Sequence, residues 1–161
     1  SDNMNLEKSD FNLISIINNV FEMLEIQAQK KNISLIIDSK LKRVNVNADQ
    51  EKIHQVLTNL IENSVKYGKQ DGTTEISIED LIEDKLIIRI TDNGKGIKKE
   101  HFERLFERFY RVENSGNRST GGSGLGLAIV KHIIDAHNEK IYVESDFGVG
   151  SEFSFSLQKS N

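Results

Sequence analysis

Gly121-Gly122-Ser123-Gly124-Leu125-Gly126-Leu127-Ala128-Ile129-Val130 decides how this chain is read. Glycines stand at alternate positions 122, 124 and 126, and an apolar helical pattern starts directly behind them. Glycine lets backbone approach a ligand closely and adopts positive φ without penalty. A helix start offers unpaired N–H groups and the positive end of a dipole. Together these features make a phosphate site, whereas the same run taken alone is also an ordinary tight connection.

Working outward, Asn59-Leu60-Ile61-Glu62-Asn63-Ser64-Val65-Lys66-Tyr67 falls inside a helical pattern over about 50–67. Its apolar face is Ile53, Val56, Leu57, Leu60, Ile61 and Val65, and Asp49 is a cap. Asn59, Asn63 and Lys66 share one polar stripe, suited to a phosphate and its metal or simply to solvent. Ile90-Thr91-Asp92-Asn93-Gly94-Lys95-Gly96-Ile97 follows a strand. It is either a plain turn or a carboxylate at a strand end with room for a flat ring. A carboxylate only accepts hydrogen bonds, which suits the amino group of adenine and not the carbonyl of guanine. In Leu105-Phe106-Glu107-Arg108-Phe109-Tyr110-Arg111 the aromatics read as core or docking contacts, and Arg111 can reach phosphate oxygens.

The rest of the chain predicts helices at about 13–30 and 124–137, and a short one near 98–106. Strands are expected at about 33–38, 44–47, 74–80, 85–92, 140–145 and 151–157. A polar loop rich in Gly, Ser, Asn and Thr spans about 113–123. Hairpins with helices between them predict an α+β fold: a two-layer α/β sandwich with a mixed, mostly antiparallel sheet and three main helices on one face. One domain over 10–158 is expected, with a flexible segment at 1–9 and a tail at 159–161.

Composition fits that picture. The 161 residues carry a net charge of −4 and 37% hydrophobic residues, with mean hydropathy −0.45. A pI near 5.6 and scattered basic residues argue against a nucleic-acid surface. There is no cysteine, which excludes a disulfide scaffold. No run of about 18 apolar residues suggests a membrane span, and no secretory signal opens the chain.

These segments, with Gly148-Val149-Gly150-Ser151, occur in an order that resembles the ATP-binding catalytic domain of sensor histidine kinases. The wider group includes gyrase, the Hsp90 chaperones and MutL. Asn59–Tyr67 is similar to its N box, Asp92–Gly96 to the first glycine box and Phe106–Arg111 to the F box. Gly122–Leu127 and Gly148–Ser151 are similar to the second and third glycine boxes. The resemblance implies the Bergerat ATP-binding fold and ATP with Mg²⁺ as ligands. It implies that Asn63 ligates the metal and that Asn59 supports metal and phosphates. Lys66 and Arg111 would contact phosphate oxygens, Tyr67 would lie along the nucleotide, and Asp92 would bind the adenine amino group. Gly94, Gly96 and Ile97 would shape that pocket. Gly122, Gly124, Leu125, Gly126 and Leu127 would form the lid hinge and helix start, with residues 112–121 as the lid and Ser151 near adenine.

ATP-hydrolysing relatives carry a glutamate at the position of Asn59, and an amide cannot act as a general base. Glu62 is turned about 60° from Asn59 along the helix. The resemblance therefore implies phosphate transfer rather than hydrolysis, to a histidine on a separate dimerisation hairpin, with a response regulator receiver domain downstream. His54, His101, His132 and His137 lack the acceptor context, and the chain has no proline. The hairpin, and any sensor or membrane segment, is expected outside this chain, and the chain itself in the cytoplasm without membrane contact. The alternatives are a stand-alone serine kinase of the anti-sigma type or a nucleotide-binding docking module. Asn138-Glu139 departs from the family's usual pair of glycines.

Overall fold

Hydrophobic residues at helical spacing in two long segments, and at alternate positions in the strands, sort this chain into a helical layer over a sheet. The computed structural model describes residues 4–112 and 124–160. The strands are β1 (Lys8–Asn12), β2 (Ser34–Asp38), β3 (Asn45–Asp49), β4 (Thr73–Asp80), β5 (Lys85–Asp92), β6 (Ile141–Asp146) and β7 (Gly150–Lys159). The helices are α1 (Leu13–Lys30), α2 (Gln50–Tyr67) and α3 (Gly126–Ala136), with a 3₁₀ turn at Lys99–Arg104.

The sheet order is β1-β3-β7-β5-β4-β2, with β6 also paired to β7. Only β2 and β4 run parallel; the other pairs are antiparallel. The register sets Ile76 beside Ile90, Ile88 beside Phe155 and Ile90 beside Phe153. All five are buried and form the core face. The opposite face carries Glu75, Ser77, Arg89, Thr91 and Glu152, with Arg89 paired to Glu79 and Thr91 bonded to Glu152 at 2.9 Å. That alternation leaves one face for the helices, as expected.

α2 buries Ile53, Val56, Leu57, Leu60, Ile61, Ser64 and Val65. Packing of this amphipathic face, more than intrinsic propensity, holds the helix. The Asp49 side chain caps it by accepting from the Lys52 amide at 3.2 Å. α3 is anchored unevenly. Val130, Ile133 and Ile134 are buried, whereas Gly126–Ile129 are half-buried. At its far end the Asp49 amide donates to His137 Nε2 at 3.0 Å, and His137 Nδ1 donates to the Ile133 carbonyl at 2.9 Å. His137 is thus a structural tie between α3 and the start of α2.

β1 was not predicted: Lys8 and Ser9, which the sequence leaves outside the domain, pair with Asp49 and Ala48. The other strands and the three helices appear within a few residues of expectation. Asn138 has φ +58°, a left-handed position that asparagine tolerates. Glu139 beside it is buried against Lys85 Nζ at 2.6 Å and accepts from Ser156 Oγ at 2.7 Å.

Candidate functional site

α2, α3, the end of β5 and the segment after the 3₁₀ turn enclose a cavity of about 400 Å³. The polar stripe of α2 faces it through Asn59, Asn63, Lys66 and Tyr67. Asn59 Nδ2 donates to the Gly126 carbonyl at 3.3 Å, tying α2 to the first turn of α3. Lys66 and Lys95 place their ammonium groups 6.0 Å and 5.9 Å from the Tyr67 ring centroid. Arg111 lines the same space, half-buried.

Asp92 closes one end. It is the last residue of β5, between Thr74 of β4 and Ser151 of β7. The Gly94 amide donates to its Oδ1 at 2.9 Å. Burial pushes its carboxyl above the ordinary aspartate range; bonds from the Gly94 amide, the Ser64 hydroxyl and the Ser151 amide oppose this but do not cancel it. Ser64 in turn pairs with Thr74 at 2.8 Å.

Glycines set the shape here. A Cβ on Gly94 would lie 2.3 Å from the Tyr67 carbonyl oxygen. Gly96 has φ +73°, and a Cβ there would lie 2.2 Å from the Asp146 carbonyl oxygen. The Ile97 amide is held by Ser145 Oγ at 2.7 Å, and Ser145 Oγ is 2.9 Å from Ser151 Oγ. At the other end a Cβ on Gly126 would meet only Asn59 Cγ, at 4.0 Å. α3 begins there without a side-chain cap.

The structure brings together on one cavity Asn59, Asn63, Lys66, Tyr67, Asp92, Gly96, Ile97, Arg111, Gly124, Leu125, Gly126, Leu127 and Ser151. Gly94 stands behind the wall and acts on Asp92. Gly122 and the expected lid, apart from Val112, lie outside the described residues. Glu62 also lines the cavity.

Sequence reasoning missed Gln55, Lys95, Tyr110 and Phe153 as lining residues. Gln55 stands four residues before Asn59, and Phe153 shares the strand face of Ser151, so both were within reach of periodicity. Tyr110 is held by His101 Nδ1 and lies under Arg104 at 4.5 Å. The F-box aromatics divide: Phe106 packs edge-on to Phe153 at 6.3 Å, whereas Phe109 is 69% exposed.

The donor set suits Mg²⁺, a hard ion that takes oxygen ligands and keeps waters. Asn63, Asn59 and Gln55 bring amide oxygens and Glu62 a carboxylate to one wall. No cluster of three His, Cys, Asp or Glu able to hold a metal by itself occurs among the described residues.

Known proteins are similar to this chain in sequence and fold. The family described as "Histidine kinase-, DNA gyrase B-, and HSP90-like ATPase" matches residues 48–161. The sensor protein kinase WalK of Staphylococcus aureus is 37% identical over 158 residues, 98% of this chain; the chain spans 25–37% of the length of these curated relatives. The nucleotide-free catalytic domain of histidine kinase ThkA superposes with a TM-score of 0.82 at 31% identity, covering 96% of this chain and 97% of that one. Full-length ShkA in complex with AMPPNP gives 0.83 at 26% identity, covering 98% of this chain and 32% of that one. ThkA in complex with the response regulator TrrA gives 0.78 at 30%, covering 96% and 42%. With its cavity walled by the N-box helix and closed by Asp92, the chain belongs to the histidine kinase-, DNA gyrase B- and HSP90-like ATPase family, as a catalytic domain of the histidine-kinase type.

Proposed function

We propose that this chain binds ATP with Mg²⁺ and presents the γ-phosphate to a histidine on a separate helical dimerisation domain, for onward transfer to a response regulator. The observation that carries this reading is the pairing of opposite chemistries on one cavity. A desolvated carboxylate, Asp92, closes one end, and Asn63, Lys66 and Arg111 line the same space. Asp92 accepts from the adenine amino group. Gly94, Gly96 and Ile97 shape the ring's slot, Ser151 borders it and Tyr67 lies along the nucleotide. Lys66 and Arg111 neutralise phosphate oxygens, Gly122, Gly124, Leu125, Gly126 and Leu127 cradle them, and Asn63, supported by Asn59, holds the metal. Bound there, Mg²⁺ supplies charge neutralisation. Positioning and electrostatics carry most of the catalysis in phosphoryl transfer.

Asn59 is an amide engaged with Gly126, so it supplies no general base for water. The domain expected over 10–158 is widened to take in β1 from Lys8 and β7 to Lys159, and is placed in the cytoplasm where ATP is available. No helix among the described residues is long and apolar enough to cross a membrane.

Two measurements test this. Asn63→Ala is expected to abolish Mg²⁺-dependent ATP binding by calorimetry while circular dichroism stays native. A variant that binds Mg·ATP normally would return the α2 stripe to a solvated face. With radiolabelled ATP, the isolated chain should neither label itself nor hydrolyse appreciably. Added to the dimerisation hairpin, it should give acid-labile, base-stable label on the hairpin. Acid-stable label on a partner would point to a serine kinase, and rapid hydrolysis to the ATPase relatives.

A further inference from the structure

The structure assigns Lys31, at the end of α1 and outside every motif, as a positioning residue for the purine end of the cavity. This rests on the nucleotide reading above. Lys31 Nζ donates to the carbonyls of Val65 at 3.1 Å, Gly68 at 3.2 Å and Lys66. These carbonyls belong to the last turn of α2 and its cap, where a helix lacks internal donors. An ammonium there satisfies them and meets the negative end of the dipole.

That turn bears directly on Asp92. The Tyr67 carbonyl accepts from the Lys95 amide at 3.4 Å. It also occupies the place a Gly94 Cβ would need, and Gly94 holds Asp92. A shift of α2's end by tenths of an ångström therefore transmits to the carboxylate. Lys66, on the same turn, would shift with it, but its contact with phosphate oxygens is common to every nucleoside triphosphate.

The junction is stitched elsewhere too. The Asp71 amide donates to the Lys31 carbonyl at 2.8 Å, and Asn32 Nδ2 donates to Asp71 Oδ1 at 2.8 Å. Ile33 packs with Ala28 and Val65. These bonds fasten α1 to the α2–β4 connection without touching the α2 carbonyls. Burial, then the positive charge of Lys95, pushes the Lys31 ammonium below the ordinary lysine value. A desolvated cation relies on its three carbonyl partners.

The test separates positioning from stability by comparing ATP with inosine triphosphate, which lacks the amino group. Loss of folded fraction scales both affinities alike, so their ratio reports the purine end alone. K31M should weaken Mg·ATP binding about tenfold, ~1.4 kcal/mol. It should also lower the ATP-to-ITP affinity ratio at least about threefold, and K31R should restore most of both. N32G, which removes only the Asn32 side-chain bond to Asp71, should keep the wild-type ratio. If K31M does not fold, K31Q carries the same ratio measurement. A wild-type ratio in the folded variant overturns the assignment and leaves Lys31 a helix cap. Failure of wild-type protein to bind ATP would instead remove the nucleotide reading itself.

Discussion

The two ends of the cavity are built on opposite terms. At the Asp92 end, backbone crowds backbone: Gly94 against Tyr67, Gly96 against Asp146, and Gly150 against Asp92, where a Cβ would lie 2.1 Å from the carbonyl oxygen. At the other end Gly124 is still crowded, with a Cβ 2.8 Å from Phe109 Cα, but at Gly126 an added Cβ meets nothing nearer than 4.0 Å, and the helix starts there without a side-chain cap. A rigid frame suits a flat ring whose shape and hydrogen-bond pattern must be discriminated. An open end with backbone N–H groups suits a charged group recognised by field more than by fit.

The largest effect expected from that contrast is at Gly94. Gly94→Ala drives a methyl into the Tyr67 carbonyl, a backbone atom with little freedom to retreat. Overpacking of this kind costs about 1–3 kcal/mol, read by urea denaturation, and ATP binding should be lost with it. Native stability and affinity would show that this end yields, which breaks the contrast.

Asp92→Asn comes next. It removes a charge-assisted bond of about 1.5–3 kcal/mol, so ATP affinity should fall about 10- to 150-fold. Equal wild-type affinity for GTP would sink the role of Asp92. Its raised carboxyl adds a pH signature. Between the unfolded and the higher folded pKa the native state binds the proton more tightly, so wild-type stability falls as pH rises through that window. ATP affinity should rise over the same window if the carboxylate is the acceptor, as proposed. Paired urea titrations of wild type and D92N from pH 4 to 7 would reveal the difference in slope; parallel curves would contradict it.

The smallest effect is expected at the open end. Gly126→Ala replaces a poor helix former without a clash, worth up to about 1 kcal/mol of added thermal stability. Its methyl projects into space left for the ligand, so nucleotide affinity should fall. A destabilised variant would mean that the first turn of α3 is more tightly packed than Gly126 suggests.

Much of this was legible in the sequence because the site uses residues with few other uses. Alternating glycines, an Asp-x-Gly-x-Gly turn and two asparagines one helical turn apart stand out from any pattern of packing. The apolar lining did not, since Leu105, Ile129 and Phe153 look the same in sequence whether they face a core or a cavity. β1 escaped because Lys8–Asn12 buries only Phe11 and pairs at a sheet edge, so it shows no alternation. The parallel β2–β4 pair had no local turn to announce it. Lys31 is one of many lysines, and only the fold carries it to carbonyls 34–37 residues away.

The tie between His137 and Asp49 gives α3 the mechanics of a lever. Its fulcrum is the buried end, where Val130, Ile133, Ile134 and His137 are fixed. At 1.5 Å per residue, the free arm from Val130 back to Gly126 is about 6 Å long. A rotation of about 10° on such an arm moves its tip by about 1 Å. That is enough to part Asn59 from the Gly126 carbonyl, now 3.3 Å apart, while the fulcrum stays packed. The open end of the cavity can thus be widened by giving up the hydrogen bond from Asn59 to Gly126, with the buried end of α3 still packed.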